Sequence, residues 1–134
     1  MTQLMKTILF AEDNLGAAAV CKLELEDEGY RVLLAEDGEQ ACRAVQERVP
    51  DVVVLDISMP GIGGLQALAQ IKETHPDLPV ILFTGFDEDC VRDQRATLAT
   101  ACVEKSGDLT ELKRAIVRAL AWSKPNGSLR LGLP

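Results

Sequence analysis

The sequence predicts an α/β domain in which a five-stranded parallel sheet is covered by helices on both faces. Patterns typical of strands alternate along the chain with patterns typical of helices, and this alternation favours a parallel sheet. Two of the strand patterns, residues 52–55 and 80–83, are continuously apolar, as expected of strands that are buried on both faces. The predicted architecture is therefore a three-layer α/β/α sandwich.

The elements are predicted from apolar periodicity and from residues that interrupt it. Strands are predicted at residues 6–11, 30–35, 51–55, 79–83 and 101–104, and helices at residues 14–28, 38–49, 65–75, 87–99 and 108–122. The first helix places Ala18, Cys21 and Leu25 on one face and stops at Gly29. The second ends before Pro50, which cannot continue a helix.

The last three helices differ in the strength of their patterns. The third has Leu68 and Ile71 facing inward and ends before Pro76, because a residue that precedes proline disfavours helical dihedrals. The fourth has few apolar positions. The fifth begins with a capping pair, Asp108 and Glu111, and continues with an apolar face.

Length and charge exclude several classes of protein. The 134 residues suit one domain, predicted at residues 1–122, followed by a tail or linker at residues 123–134 that is rich in Ser, Gly and Pro. A formal charge of -7 argues against direct contact with nucleic acid or anionic lipid. No apolar run has the length of a signal peptide or a membrane span, so we expect a cytoplasmic protein with no membrane partner.

The four cysteines show no metal-site spacing. Cys21, Cys42 and Cys102 fall at apolar positions and are predicted to be buried thiols, and the fourth is Cys90. Disulfides are the alternative, although a reducing compartment disfavours them.

Four of the strand patterns end in polar residues. Glu12 and Asp13 follow the first strand, Asp56 the third, Thr84 the fourth and Lys105 the fifth. Ligands of open parallel sheets bind beyond the carboxyl ends of the strands, so these side chains are predicted to form one site.

The strings around these residues resemble those of the response-regulator receiver domain of two-component signalling. The resemblance covers residues 6–122, and its matching strings are AEDN at residues 11–14, VLDISMPG at 54–61, FTG at 83–85 and EK at 104–105. It implies a doubly wound, flavodoxin-like sheet with strand order 2-1-3-4-5. It also implies a Mg²⁺ site formed by the carboxylates of Glu12, Asp13 and Asp56 and the main-chain carbonyl of Ser58.

The resemblance further implies a phosphorylation switch. Asp56 would accept a phosphoryl group from a sensor histidine kinase or a phosphotransfer protein, assisted by Lys105 and Thr84. The protein would catalyse only its own phosphorylation and dephosphorylation, so it is not predicted to be an enzyme. Its signal would pass through the output face, formed in this family by the fourth helix, fifth strand and fifth helix. A downstream protein, a fused output domain or a second copy of the chain would bind there.

Alternative interpretations remain for the same residues. Glu12, Asp13 and Asn14 could simply cap the first helix, because Asp and Asn side chains satisfy its free amides and acidic side chains suit its positive end. A receiver that binds partners without being phosphorylated is the second functional hypothesis. A phosphatase of the haloacid dehalogenase type is disfavoured, because Ser58 stands where that family needs an aspartate.

Three positions depart from the family pattern. Cys102 replaces the aromatic residue of strand five, so a smaller or different change of the output face is expected. Ser106 replaces the proline after the lysine, which predicts a trans peptide bond and a displaced Lys105. Phe86 places an apolar ring beside the phosphorylation site and predicts a long-lived phosphoryl group.

Overall fold

The computed structural model describes residues 5–85, 92–106 and 108–122. The strands are β1 (Thr7–Ala11), β2 (Arg31–Ala35), β3 (Val52–Leu55), β4 (Val80–Thr84) and β5 (Ala101–Glu104). The α-helices within the described ranges are α1 (Leu15–Asp27), α2 (Gly38–Glu47), α3 (Gly63–Thr74) and the last helix (Thr110–Trp122).

The five strands form one parallel sheet with order β2-β1-β3-β4-β5, which confirms the predicted fold class and strand order. In register, Ala11 lies opposite Leu55, and Thr84 lies opposite Glu104. Neighbouring strands therefore end at nearly the same level, so the residues that follow them share one edge of the sheet.

Each face of the sheet packs against its own set of helices. Phe10 and Val54 belong to the apolar cluster that also contains residues of α1 and the last helix. Leu9 and Val53 point the other way, into the cluster formed with α2 and α3. All four residues of β3 are buried, because side chains alternate between two covered faces. This confirms the inference from continuous apolar runs.

Polar caps and a glycine mark the helix boundaries. Asn14 caps α1 by accepting a hydrogen bond from the Ala17 amide at 2.9 Å, and Gly29 follows the helix with a φ of 101°. Asp37 caps α2 in the same way through the Gln40 amide. The last helix begins two residues after Asp108, whose carboxylate accepts a hydrogen bond from the Thr110 amide.

Over the described part of residues 87–99, the fourth predicted helix is confirmed only at Arg92 and is wrong from Asp93 onward. Asp93 is extended, and a five-residue 3₁₀ turn, Gln94–Leu98, follows it. The Asp93 carboxylate accepts hydrogen bonds from the Arg95 amide at 2.9 Å and from the Arg95 guanidinium at 2.7 Å. A side chain that bonds its own neighbouring backbone competes with helix formation, and few apolar contacts oppose that competition here. Residues 87–91 lie outside the described ranges.

The environments of the cysteines only partly match the prediction. Cys21 is buried and Cys42 is half-buried, and both are free thiols. Cys102 is exposed and disulfide-bonded, so its predicted state as a buried thiol is wrong. The reason lies in the sheet: β5 is an edge strand, so one side of it has no neighbouring strand to cover it.

Residues 123–134, predicted as a tail or linker, lie outside the described ranges. Over the portion of the chain that is described, no helix has the length and apolar character needed to cross a membrane.

Candidate functional site

The predicted acidic residues meet where β1 and β3 end side by side. The Asp56 amide donates a hydrogen bond to the Ala11 carbonyl at 3.1 Å, so strand pairing continues up to the first acids. One carboxylate oxygen from each of Glu12, Asp13 and Asp56 lies within 4.8 Å of the others. Glu12 and Asp56 are 4% and 7% exposed, whereas Asp13 is open to solvent. The site is thus a crevice with two buried carboxylates and one exposed carboxylate.

Lys105 reaches this crevice from the end of β5, across β4. Its ammonium nitrogen lies 2.6 Å from Glu12 Oε1 and 3.1 Å from Asp56 Oδ2. The same nitrogen lies 5.7 Å from the centroid of the Phe83 ring, an arrangement that favours a cation. The predicted displacement of Lys105 is wrong, because these contacts hold its ammonium between two buried acids.

The backbone around Lys105 explains this position. Its amide donates a hydrogen bond to the Thr84 carbonyl at 2.7 Å, which extends the β4–β5 pairing past the end of β5. The peptide bond to Ser106 is trans, as predicted, since the described residues contain no cis peptide bond. A trans bond therefore suffices to place the lysine in the crevice.

Negative charge exceeds positive charge among the ionisable groups of the crevice. Burial raises the pKa of Asp56, and the negative charge of Glu12 adds to the rise, while the hydrogen bond from Lys105 opposes it. Burial alone would lower the pKa of Lys105, but hydrogen bonds to Glu12 and Asp56 outweigh that effect and raise it. The Lys105 ammonium is shared by these two carboxylates and lies closer to Glu12 than to Asp56. The ionised crevice has too little positive charge.

This charge deficit suits a hard divalent cation. Three carboxylates against one ammonium leave two negative charges without a partner in the cluster. Carboxylate and carbonyl oxygens are the ligands that Mg²⁺ prefers, and a site with few protein ligands leaves room for water and phosphate oxygens. The donor set therefore fits the predicted Mg²⁺ site.

Ser58 and Thr84 flank the crevice. The Ser58 amide donates a hydrogen bond to Asp56 Oδ1 at 3.3 Å, which places a backbone donor beside the predicted nucleophile. Thr84 is the last residue of β4 and is 2% exposed. The parts that their carbonyl and hydroxyl groups play in metal and phosphate binding stay predictions. Phe86 lies outside the described residues, so the prediction based on it is untested.

Gly64 is a site residue whose purpose sequence reasoning missed. A Cβ atom at this position would lie 2.1 Å from the Asp56 carbonyl oxygen. The Gly64 amide donates a hydrogen bond to the Ile57 carbonyl at 2.9 Å, so α3 begins directly against the end of β3. The glycines at positions 61, 63 and 64 predicted a turn. A single sequence does not show that two backbone segments approach each other closely at one of them.

A cavity of about 460 Å³ opens beside the crevice, between α1 and the last helix. Its wall includes Glu12 and Lys105 at one end and the apolar groups of Val20, Phe83 and Leu109 farther out. An incoming group can therefore approach the acids along a partly apolar path.

Comparisons with known proteins agree with this geometry. The family model described as "Response regulator receiver domain" matches residues 8–117. The crystal structure of the response regulator TrrA from Thermotoga maritima, in complex with Mg²⁺-BeF, superposes with a TM-score of 0.83. It is 35% identical and covers 87% of this chain and 100% of that chain.

A second TrrA structure and one further relative extend the comparison. TrrA in complex with the histidine kinase ThkA gives a TM-score of 0.81 at 35% identity, covering 87% of this chain and 99% of that one. The uncharacterized transcriptional regulatory protein YkoG of Bacillus subtilis is 32% identical over 121 residues, which is 90% of this chain and 52% of YkoG. The chain thus spans about half the length of this curated relative.

Proposed function

Because this chain belongs to the response regulator receiver domain family, we propose that it is a phosphoacceptor switch whose Asp56 receives a phosphoryl group from a partner histidine kinase. The main support is the position of Asp56, a buried carboxylate that is hydrogen-bonded to Lys105 and surrounded by two further acids. An acid in such surroundings is costly unless a cation or phosphate chemistry uses it.

The bond exchange takes place between the Asp56 carboxylate and the phosphohistidine of the partner. A carboxylate oxygen of Asp56 forms a bond to phosphorus while the bond between phosphorus and the partner's histidine nitrogen breaks. The electron pair of that bond stays on the imidazole, and the product is an aspartyl phosphate. Asp56 must be ionised to attack, and the Lys105 ammonium at 3.1 Å favours that state.

The remaining side chains stabilise the added charge. Phosphorylation adds about -1.5 to -2 charges to a crevice that is already acidic. Lys105 supplies one positive charge, and the Ser58 amide and the Thr84 hydroxyl are donors at its border. Preorganised donors of this kind stabilise charge without reorganising during the reaction.

Mg²⁺ is the proposed cofactor. Glu12, Asp13 and Asp56 would hold it through their carboxylates, and Ser58 through its main-chain carbonyl. When bound, the ion neutralises phosphoryl oxygens and lowers the repulsion between the three acids. The related TrrA structure contains Mg²⁺, which supports the choice of metal.

The proposed output is a change in protein contact at the output face. Several relatives are transcriptional regulators about twice as long as this chain, so a downstream protein or a fused output domain is the expected receiver of the signal. A second copy of this chain could also bind the output face and form a homodimer. The chain would catalyse only its own phosphorylation and dephosphorylation, in the cytoplasm, without contacting nucleic acid or membrane.

A second candidate function is a partner-binding module that does not depend on phosphorylation. The observation in its favour is Cys102, which stands on β5 where an aromatic residue is expected and is disulfide-bonded. A partner that bound equally well with and without phosphate would support this alternative.

Intact mass separates the two candidates. The protein is incubated with Mg²⁺ and acetyl phosphate, beside Asp56→Asn and the control Asp27→Asn, which changes an exposed acid of α1. One phosphoryl adduct is expected in the wild type and in the control, dependent on Mg²⁺ and absent from Asp56→Asn. Folded wild-type protein without an adduct would contradict the proposed switch.

A further inference from the structure

Phe83 lies between the apolar core and the acidic crevice. It is a residue of β4, it is 5% exposed, and it belongs to the apolar cluster formed with α1 and the last helix. The Lys105 ammonium nitrogen lies over the face of its ring, 5.7 Å from the centroid. The roles proposed for Asp56, Thr84 and Lys105 leave this ring unused, although it contacts the charge on which the site depends.

The sheet and a second ring fix the orientation of Phe83. Its backbone is paired with Val103 of β5. Phe10, which is 1% exposed, approaches it with 6.1 Å between the ring centroids and 71° between the ring planes. Aromatic pairs favour this edge-to-face arrangement. The ring under the ammonium is therefore held in place before any reaction begins.

Lys105, in contrast, has a long side chain that borders open space. Its amide is bonded to the Thr84 carbonyl at 2.7 Å, but its side chain is 31% exposed and lines the cavity beside the crevice. A lysine side chain loses many rotamers when its ammonium is held in one position. The contacts at the ammonium therefore decide whether the charge stays in the crevice or extends into the cavity.

The two acids that hold this ammonium both change during the proposed reaction. The Asp56 carboxylate loses its own charge when it becomes an acyl phosphate, and Glu12 is a proposed ligand of Mg²⁺. The Phe83 ring is altered by neither event. Its negative face attracts the ammonium before and after the transfer.

We propose that Phe83 is a positioning residue whose ring face keeps the Lys105 ammonium in the crevice while Asp56 is phosphorylated. The ammonium then meets the phosphoryl oxygens without a search from the cavity. The part of this inference that concerns the reaction rate rests on the proposed phosphoacceptor function. An aliphatic side chain in the same place would fill the core but would offer no negative face to the cation.

Graded fluorination of the ring separates this attraction from packing. Phenylalanine analogues with one, two or three ring fluorines are incorporated at position 83, and the same analogues at position 10 provide the control. Fluorine withdraws electron density from the ring face and changes its shape little. The rate of adduct formation with acetyl phosphate and Mg²⁺ is expected to fall stepwise at position 83, by about fivefold for the most fluorinated ring. The same analogues at position 10 should leave the rate unchanged.

A ring-current shift gives a readout that does not depend on phosphorylation. Protons above the face of an aromatic ring resonate upfield in nuclear magnetic resonance spectra. In Mg²⁺-free protein without a phosphodonor, the ε-methylene protons of Lys105 are expected upfield of those of the exposed Lys6. Phe83→Leu should remove this shift and also slow phosphorylation.

Two results would overturn the role of the ring. Equal rates throughout the fluorinated series at position 83, in folded protein, would show that only packing matters. Lys105 protons at the position of the Lys6 protons would show that the ammonium does not stay over the ring.

The two proposals can fail separately. Wild-type protein without an adduct would contradict the phosphoacceptor function. The ring-current shift would still decide whether Phe83 holds Lys105, because that measurement needs neither Mg²⁺ nor phosphate.

Discussion

The two halves of the sheet edge differ in how tightly their polar residues are held. On the side of β1 and β3, Glu12 and Asp56 are buried and share the Lys105 ammonium. On the side of β4 and β5, a 3₁₀ turn stands where the end of a helix was predicted, and Cys102 is exposed. The first half resembles the family closely and the second departs from it.

The largest effect is expected from Gly64→Ala, on the tightly packed side. The new Cβ would lie 2.1 Å from the Asp56 carbonyl oxygen, so the start of α3 or the end of β3 must move. A loss of about 3 kcal/mol in the free energy of unfolding is expected, as for overpacked cores. Urea denaturation measures it.

Gly16→Ala provides the control for this change. Its Cβ would lie 3.5 Å from Asn14 Oδ1, an ordinary contact, within an exposed stretch of α1. Unchanged or slightly raised stability is expected, because alanine favours the helix. Equal losses in both variants would show that the close approach at Gly64 is unimportant.

Lys105→Ala should have the next largest effect. It leaves the buried carboxylates of Glu12 and Asp56 without their shared ammonium, and a loss of about 2 kcal/mol is expected in Mg²⁺-free buffer at neutral pH. Urea denaturation is again the measurement. Added Mg²⁺ should recover part of the loss.

Lys113→Ala is the matched control for the lysine. Its ammonium pairs with Glu24 at 3.0 Å and Glu28 at 3.3 Å, but both acids are about half exposed. A much smaller loss is expected, because exposed ion pairs contribute little. Comparable losses for both lysines would contradict the contrast between crevice and surface.

A smaller effect is expected from Asp56→Asn, with a defined pH dependence. Because the pKa of Asp56 is raised above its ordinary value of 3.8, the folded state binds more protons than the unfolded state between those two pKa values. Wild-type stability should therefore fall as pH rises through the folded pKa, whereas the variant lacks this fall.

Thermal unfolding across pH checks this prediction. Without Mg²⁺, Asp56→Asn should be more stable than the wild type at neutral pH, because burial raises the pKa of the Asp56 carboxyl and the variant carries no charge there. Mg²⁺ should reduce the difference by stabilising the wild type. A variant less stable than the wild type in Mg²⁺-free buffer at neutral pH would contradict the raised pKa.

The smallest effect is expected on the side of β4 and β5, from Asp93→Ala. Arg95 holds the pKa of Asp93 at about 2, so the stabilising contact is complete above the ordinary value of 3.8 and is lost as pH falls through about 2. Asp93 is exposed to solvent screening, so faster amide exchange confined to residues 94–98 is expected. Acetyl phosphate should phosphorylate the variant at the wild-type rate.

The sequence was sufficient for the sheet and for the residues of the crevice. Apolar runs ending in acids, a threonine and a lysine predicted the strand ends, and parallel topology brought Glu12, Asp13, Asp56 and Lys105 to one edge. The family resemblance supplied the strand order. The strand ends and their shared edge depend on local periodicity and on the topology of parallel sheets, and a single sequence is enough to apply both.

The features that were missed depend on packing and local competition. The bonds between Asp93 and Arg95 set a 3₁₀ turn where the end of a helix was predicted, and helix periodicity does not detect such bonds. Gly64 matters because α3 meets the backbone of β3, which is a tertiary contact. Lys105 was expected to be displaced, but the Phe83 ring and two carboxylates hold it in place despite Ser106.

Mapping the phosphoryl group to a residue tests the central claim most directly. The protein is phosphorylated with acetyl phosphate and Mg²⁺, treated with borohydride, which reduces an aspartyl phosphate to homoserine, and digested for peptide sequencing by mass spectrometry. Homoserine at position 56 alone is the predicted result. Homoserine at another aspartate, or an unmodified Asp56 in folded protein, would contradict the account of this crevice as a phosphoacceptor site.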